Sequence, residues 1–369
     1  MRIGIDASRT GVRHRTGTEL YSLRLIQELL AQDHEDELVL YFRSPPRETD
    51  FPLREGVEVR VIPFTRLWTH VRLSWEMLTQ PPDLLFVPAH VLPVIHPSRC
   101  VVTIHDLGYL YHRRAHRSLD WTYLYLSTRY NARSATKVIA DSDATKRDLV
   151  THYGVDPGKI STVYLAHDER FRPVEDSNLM ESVKGKYGIS GDYLLCVGTI
   201  QPRKNLAGAL GAYAALKRRL KKAPKLVLVG KRGWLSEGIF KQVKATGISD
   251  DVIITGYVAD EDLPAILSGA IALVFVSLYE GFGLPALEAM ACGTPVIASN
   301  VSSLPEVVGE AGLLVDPHNS RAISDAMVEV TTNAGLRQQM RERGLARASM
   351  FSWKRCGADT LRVLREAMR

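Results

Sequence analysis

The chain has 369 residues, 45% of them hydrophobic and 24% charged, and a formal net charge of +6. That balance belongs to a globular protein with a sizeable core, and it excludes a disordered chain, a collagen and a disulfide scaffold. The charge excess is modest and no nucleic-acid-binding module is present, so a nucleic-acid partner is not expected.

Length suggests two domains. Met1-Arg2 runs directly into a strand-like segment that is too short for a signal sequence. The longest apolar run, 270–276, has strand length and falls far short of the ~20 residues that span a bilayer. A cytoplasmic protein is expected, resting at most on the inner face of the membrane. Short apolar runs at 2–6, 37–42, 57–62, 83–87, 100–104, 137–140 and 160–165 alternate with helix-period segments at 19–31, 118–133 and 143–152. Continuous β-branched runs with helical crossovers predict parallel strands covered on both faces. From 168 to 192 the pattern lapses into charged, Pro- and Gly-containing sequence, which reads as a linker. A second series follows, with strands at 193–197, 225–229, 251–254, 270–276, 295–298 and 312–315. Helices are predicted at 205–222, 236–245, 284–291 and 320–331, and the tail 351–369 is a further amphipathic helix. The fold class is therefore α/β, two doubly wound units in series. Cys100, Cys196, Cys292 and Cys356 form no C-x-x-C pair and read as buried, reduced thiols.

Ligands of open parallel sheets bind outside the carboxyl ends of the strands, so the strand-ending loops are read first, in chain order. Arg15-Thr-Gly17-Thr18-Glu-Leu-Tyr21 follows the first strand and opens a helix, although it lacks the G-x-G-x-x-G of a dinucleotide dehydrogenase. The stretch 64–75, with Trp68 and Trp75 interleaved with arginine, and the basic cluster 112–117 suit either core packing or a lipid headgroup surface. Val101-Val-Thr-Ile-His105-Asp106 is a strand ending in histidine, with Asp106 as its expected partner. Asp141-Ser142-Asp143 is read as a helix cap. Val197-Gly198-Thr-Ile-Gln-Pro-Arg203-Lys204-Asn205 sets two cations before a helix; Arg offers bidentate and Lys point-charge recognition of a diphosphate. The run 217–222 is a solvated helix end. Glycines in Gly230-Lys231 and Gly256-Tyr257-Val258 suit close approach of backbone to a ligand. Finally, Ser277-Leu-Tyr-Glu280-Gly-Phe282-Gly283-Leu284-Pro285-Ala-Leu-Glu288 follows a buried strand. It presents a helix N-terminus suited to phosphate, with two carboxylates able to accept sugar hydroxyls.

That last segment resembles the E-x7-E region of the retaining glycosyltransferases of family 4, and the match continues through Gly293-Thr-Pro-Val-Ile-Ala-Ser-Asn300, Leu304-Pro-Glu306 and Gly312-Leu-Leu-Val-Asp-Pro317. The resemblance extends almost end to end and is strongest from Cys196 to Pro317. It implies the GT-B fold, two Rossmann-like domains with parallel sheets facing a central cleft. Residues 1–170 would form the acceptor side, 171–350 the nucleotide-sugar side, and 351–369 a helix crossing back to the first domain. By the same resemblance, Arg203 and Lys204 hold the donor diphosphate and neutralise the leaving group. Glu280 holds sugar hydroxyls, Glu288 the ribose, and His105 lines the donor sugar without acting as a general base. Gly17 and Thr18 belong to the phosphate-approaching loop, with Thr18 where a second glycine is common. Gly198, Lys231, Tyr257, Val258, Phe282, Gly283 and Leu284 complete the donor site. The resemblance also implies no metal and no cofactor beyond the nucleotide-sugar substrate; Asp141-Ser142-Asp143 matches Asp-x-Asp by letters and is read as a cap. The N-terminal run Asp6-Ala-Ser-Arg9 with 15–21 looks most like the mannosyltransferase branch, making GDP-mannose the first-choice donor and UDP-glucose or UDP-N-acetylglucosamine the second. The acceptor would be a glycan, free or lipid-linked, with peripheral contact to an anionic membrane. The competing expectations are an epimerase or hydrolase of nucleotide sugars, and a non-catalytic binding module.

Overall fold

The computed structural model describes residues 1–11, 17–32, 35–47, 50–51, 55–89, 91–111, 118–231, 233, 238, 243 and 245–369. The expected basic cluster 112–117, Arg15 and most of the predicted helix 236–245 lie outside the described residues. The chain divides into two compact units, Met1–Leu165 with Ser352–Arg369, and Ala166–Phe351.

Unit 1 is built on a parallel sheet of strands β1 (Arg2–Asp6), β2 (Glu37–Phe42), β3 (Val57–Val61), β4 (Leu84–Val87), β5 (Cys100–Ile104), β6 (Lys137–Ala140) and β7 (Ile160–Thr162). Their spatial order is β3-β2-β1-β4-β5-β6-β7. The chain winds outward from β1 to β3, then returns and winds the other way from β4, so the switch point lies between β1 and β4. The inner strands are buried from end to end: Leu84–Val87 and Cys100–Ile104 expose no residue. This is the expected outcome for β-branched runs with helices on both faces.

Unit 2 repeats the plan. Its strands are β8 (Tyr193–Val197), β9 (Lys225–Val229), β10 (Val252–Gly256), β11 (Ala272–Phe275), β12 (Val296–Ser299) and β13 (Leu313–Val315), in the order β10-β9-β8-β11-β12-β13. Here the switch point lies between β8 and β11. Helices Leu206–Arg219 and Ser320–Thr332 close one face of the sheet, burying Leu210, Tyr213, Leu216, Met327 and Val330.

Several elements differ from expectation, two of them α-helices of ten residues or more. The stretch 168–192 holds a helix, Ser177–Lys186, started by the Asp176 carboxylate accepting from Asn178 N and Leu179 N; the cap overrides a polar sequence with little apolar period. A second unpredicted helix, Ala334–Ala348, buries only Met340, Gly344 and Ala348. Asn333 ends the preceding helix and caps this one, its side chain accepting from Leu336 N at 3.0 Å.

The last helix, Trp353–Glu366, belongs to unit 1 and packs along helix Gly17–Ala31. The approach is close: a Cβ on Gly357 would lie 2.9 Å from the Glu28 Cβ. All four cysteines are buried and free. Among the described residues no helix is long and apolar enough to cross a membrane.

Candidate active site

At the switch point of unit 2, the loops leaving β8 and β11 are tied together. After β8 the chain turns at Gly198, whose φ of +137° is a conformation that favours glycine. A 3-10 turn, Pro202–Lys204, follows, ending at Asn205 in the left-handed region with φ 52°. The Asn205 amide donates to the carbonyls of Val276 (3.1 Å) and Pro317 (2.8 Å), and Leu278 N donates to Arg203 O at 2.8 Å. Arg203 and Lys204 therefore stand on a turn fixed to the end of β11.

Both cations meet Glu280. Lys204 Nζ donates to Oε1 at 2.6 Å and Arg203 Nη1 to Oε2 at 2.7 Å; Arg203 Nη1 also donates to Tyr279 O at 2.6 Å. Lys204 lies over the Phe275 ring, 4.7 Å from its centroid. Glu280 is buried, and burial pushes its carboxyl up; Lys204 and Arg203 beside it outweigh that and hold it below the ordinary value. Each carboxylate oxygen keeps a lone pair free of these cations, so a sugar hydroxyl can still donate to Glu280. The Glu280 backbone is held by two residues the sequence reading passed over. Glu280 N donates to Ser302 Oγ at 3.0 Å, while Ser303 Oγ donates to Glu280 O (2.9 Å) and Phe282 O (2.7 Å). The Ser-Ser before Leu304-Pro305 reads as an ordinary helix start, and that disguises the role.

Gly283 follows with φ 109°, and a Cβ there would lie 2.6 Å from Leu304 Cδ2. It starts the helix Leu284–Ala291, with Leu284 at its first position, and Phe282 is buried edge-on to Phe351 at 5.9 Å. One turn into the helix, Glu288 is pushed up to about 7, chiefly by burial; Arg170 pulls it down, and Asp168 and Asp260 push it further up. Arg170 pairs with Asp168 at 3.1 Å. Arg170 and Asp168 come from the stretch that looked like a linker.

The neighbouring turns form a glycine-lined edge. Gly198 N donates to Val229 O (2.9 Å) and Gly230 N to Gly256 O (2.8 Å). Lys231 lies over the Tyr257 ring at 4.7 Å from the centroid, Tyr257 is half exposed with its hydroxyl on Asp260, and Val258 is buried. Among the described residues no group of three His, Cys, Asp or Glu is placed to hold a metal ion.

In unit 1, His105 ends β5. Its Nδ1 lies 2.6 Å from Asp141 Oδ2 and its Nε2 2.9 Å from Pro88 O. Pro88 O can only accept, so Nε2 carries a proton, and Nδ1 shares one with the Asp141 carboxyl, which leaves neither nitrogen free for base catalysis. Burial draws its pKa down, but the charge and hydrogen bond of Asp141, with the Pro88 carbonyl, carry it above the ordinary histidine value. Asp141, not Asp106, is thus the partner carboxylate; Asp106 accepts from Gly108 N at 2.9 Å. Ser142 alone caps the helix Asp143–Tyr153, accepting from Thr145 N. Tyr21 meets the His105 ring edge-on at 4.8 Å. Gly17 and Thr18 open helix Gly17–Ala31, where Ser22 Oγ donates to Thr18 O at 3.0 Å.

A raised histidine pKa stabilises the fold below the ordinary histidine value, and that contribution is lost as pH rises through the folded value. Asp141→Asn should therefore shift the His105 titration to lower pH, read from the ring-proton resonances, and flatten that pH dependence of stability. A titration unchanged by the substitution would sink the pairing.

Residues 15–170 match the family described as Glycosyltransferase Family 4, and residues 183–347 match Glycosyl transferases group 1. The O-antigen chain mannosyltransferase B of Escherichia coli is 32% identical over 363 residues, covering 94% of this chain and 95% of its own. Among solved structures, the Anabaena protein Alr3699/HepE in complex with UDP and glucose superposes with a TM-score of 0.75 at 16% identity, over 99% of both chains. WaaG, a glycosyltransferase involved in lipopolysaccharide biosynthesis, gives 0.72 at 18% identity, over 98% of this chain and 99% of its own. Both likenesses are to the whole two-unit fold.

Proposed function

The chain belongs to the group 1 and family 4 glycosyltransferases, and on that premise we propose that it transfers mannose from GDP-mannose to a hydroxyl of a glycan, free or lipid-linked, with retention of configuration. The observation that carries this reading is the pairing of Arg203 and Lys204 with buried Glu280 beside the start of helix Leu284–Ala291 at the unit 2 switch point. Ligands of doubly wound sheets bind at such a point, and two fixed cations with a helix N-terminus match a diphosphate. The kinship to a mannosyltransferase over nearly the whole chain favours mannose; a UDP-sugar donor is second, since the Anabaena protein was crystallised with UDP and glucose.

In this reading the bond between the anomeric carbon and the β-phosphate oxygen breaks as the acceptor oxygen bonds to the same face. The acceptor proton passes to the departing diphosphate. Arg203, Lys204 and the helix N-terminus stabilise the charge developing on that leaving group, which is the role a metal plays elsewhere. Glu280 accepts from sugar hydroxyls and Glu288 from the ribose. Gly198, Lys231, Tyr257 and Val258 frame the nucleotide. The setting is the cytoplasm, at most against the inner face of the membrane.

Calorimetric titration with GDP-mannose, UDP-glucose and UDP-N-acetylglucosamine in EDTA, followed by product analysis with mannoside acceptors, tests this. GDP-mannose should bind and yield a product with the donor's anomeric configuration. An inverted product sinks retention, and preference for a UDP-sugar replaces the donor. Donor consumption without acceptor would make the protein a hydrolase; binding without turnover would make it a binding module.

A further inference from the structure

The basic run 217–222 reads as a solvated helix end in the sequence, and the structure divides it. Lys217 is taken by Asp251. Arg218 and Arg219 instead line a groove of about 480 Å³ in unit 2, between helices Leu206–Arg219 and Ser320–Thr332.

On the first helix the groove is lined by Gly211 and Ala215 as well as the two arginines. Residues spaced four and then three apart share one face of a helix, and from Gly211 to Arg219 this face runs about 12 Å at 1.5 Å per residue. A Cβ on Gly211 would meet nothing within 4 Å, so packing does not require glycine there. Glycine inside a helix is nevertheless costly relative to alanine. The space is left open rather than filled.

The opposite wall is the start of the second helix, with Ser320, Arg321, Ser324 and Asp325. Asn319 caps that helix, its side chain accepting from Ala322 N at 3.0 Å. The amides of Ser320 and Arg321 precede the first intrahelical bond and have no carbonyl of their own helix to meet. Such an end carries partial positive charge and suits a phosphate. A second observation is independent of the helix end. Ser324 is 1% exposed, and its hydroxyl has no hydrogen-bond partner among the described residues. A helical serine can return its hydroxyl to the carbonyl four residues back; this one does not, and an unpartnered buried hydroxyl is costly until something bonds to it.

The charge of the lining agrees. Three arginines stand against one acid, Asp325, which accepts from Arg219 at 2.5 Å and lies 4.0 Å from Arg321. Arg218 stays outside that group. Exposed Asp316 and Glu329 lie before and beyond the groove without lining it, and exposed Lys221 and Lys222 follow Arg219.

We propose that this groove binds a small phosphate monoester. The phosphate meets the arginines, the helix start and the Ser324 hydroxyl, and the rest of the molecule lies over Gly211 and Ala215. The assignment goes beyond the transferase reading and stands without it, because it uses no residue of the donor site.

The full-length chain would be titrated calorimetrically with glucose 6-phosphate, with glucose and with inorganic phosphate. Glucose 6-phosphate should bind and glucose should not. Inorganic phosphate, which leaves most of the groove empty, should bind about ten-fold more weakly than the ester. Arg218→Gln combined with Arg321→Gln should weaken ester binding by more than about ten-fold, through two lost charge-assisted contacts. Ser324→Ala should weaken it by about three-fold. Unchanged melting of these variants separates the result from misfolding. Lys204→Met, which removes a cation of the donor turn, should leave ester binding unchanged, and so tells the groove from the donor turn whether or not the transferase reading holds. No binding of the ester, binding that the groove substitutions leave intact, or binding lost in Lys204→Met overturns the proposal. Equal affinity for inorganic phosphate would mean an adventitious ion only and overturn it as well.

Discussion

Lys204→Ala should lower turnover by about a hundred- to a thousand-fold, the usual cost of deleting one group aimed at charge that develops in the transition state. The ammonium has no substitute in place: it sits between Glu280 Oε1 and the Phe275 ring, and a Cβ on Gly198 would lie 3.1 Å from its Cε. The fold should survive, because Arg203 remains on Glu280 Oε2 and the Asn205 anchors to Val276 and Pro317 do not involve the lysine. Lys204→Met, which keeps the apolar stem over Phe275, separates lost charge from lost packing. Nucleoside diphosphate release, measured against donor concentration, is the readout. A loss confined to KM would mean that Lys204 binds the ground state only; undiminished transfer by either variant would remove the diphosphate assignment.

Gly230→Ala should have the largest effect on stability. Gly230 has φ +150°, and an added Cβ would lie 2.0 Å from the Gly198 carbonyl oxygen. No rotamer relieves a clash with backbone, so one of the two turns must move, at a cost on the order of 2–4 kcal/mol from strain and overpacking together. Either movement disturbs the proposed donor site, since Gly198 abuts Lys204. Gly247→Ala is the control: its φ is +67° and a Cβ there meets nothing within 4 Å. It therefore carries only the left-handed penalty of about 1–2 kcal/mol. Denaturant midpoints of the two variants give the comparison. Equal losses would show that the Gly198–Gly230 approach does not constrain the fold.

The sheets were legible because a buried parallel strand has one signature, a short continuous run of β-branched and aliphatic residues, and β5 or β11 offers no competing reading. The unforeseen helices Ser177–Lys186 and Ala334–Ala348 carry no such signal. Ala334–Ala348 fully buries only a methionine and two small residues, and its start depends on one asparagine serving two helices. Arg203, Lys204, Glu280 and Glu288 stand out as site candidates by type and neighbours, and the structure brings the first three into contact. Ser302, Ser303 and Asn205 do not stand out, because each acts by hydrogen-bonding a backbone far away in sequence. Asp141 was hidden for a similar reason: its letters fit a capping turn, and only the adjacency of β5 and β6 brings it to His105.

The split composition of unit 1 bears on how the protein is made. Unit 2 is one uninterrupted segment, Ala166–Phe351, whereas unit 1 needs Ser352–Arg369 to cover helix Gly17–Ala31. A chain leaving the ribosome therefore has every element of its second sheet in hand before the first unit receives its last helix. Until then the side of helix Gly17–Ala31 that meets the final helix stays uncovered, including the place where Gly357 admits close contact with Glu28 and Gln32. Domains commonly fold in the order of their synthesis; here the unit begun first is completed last, and its waiting time is set by translation of the entire second unit.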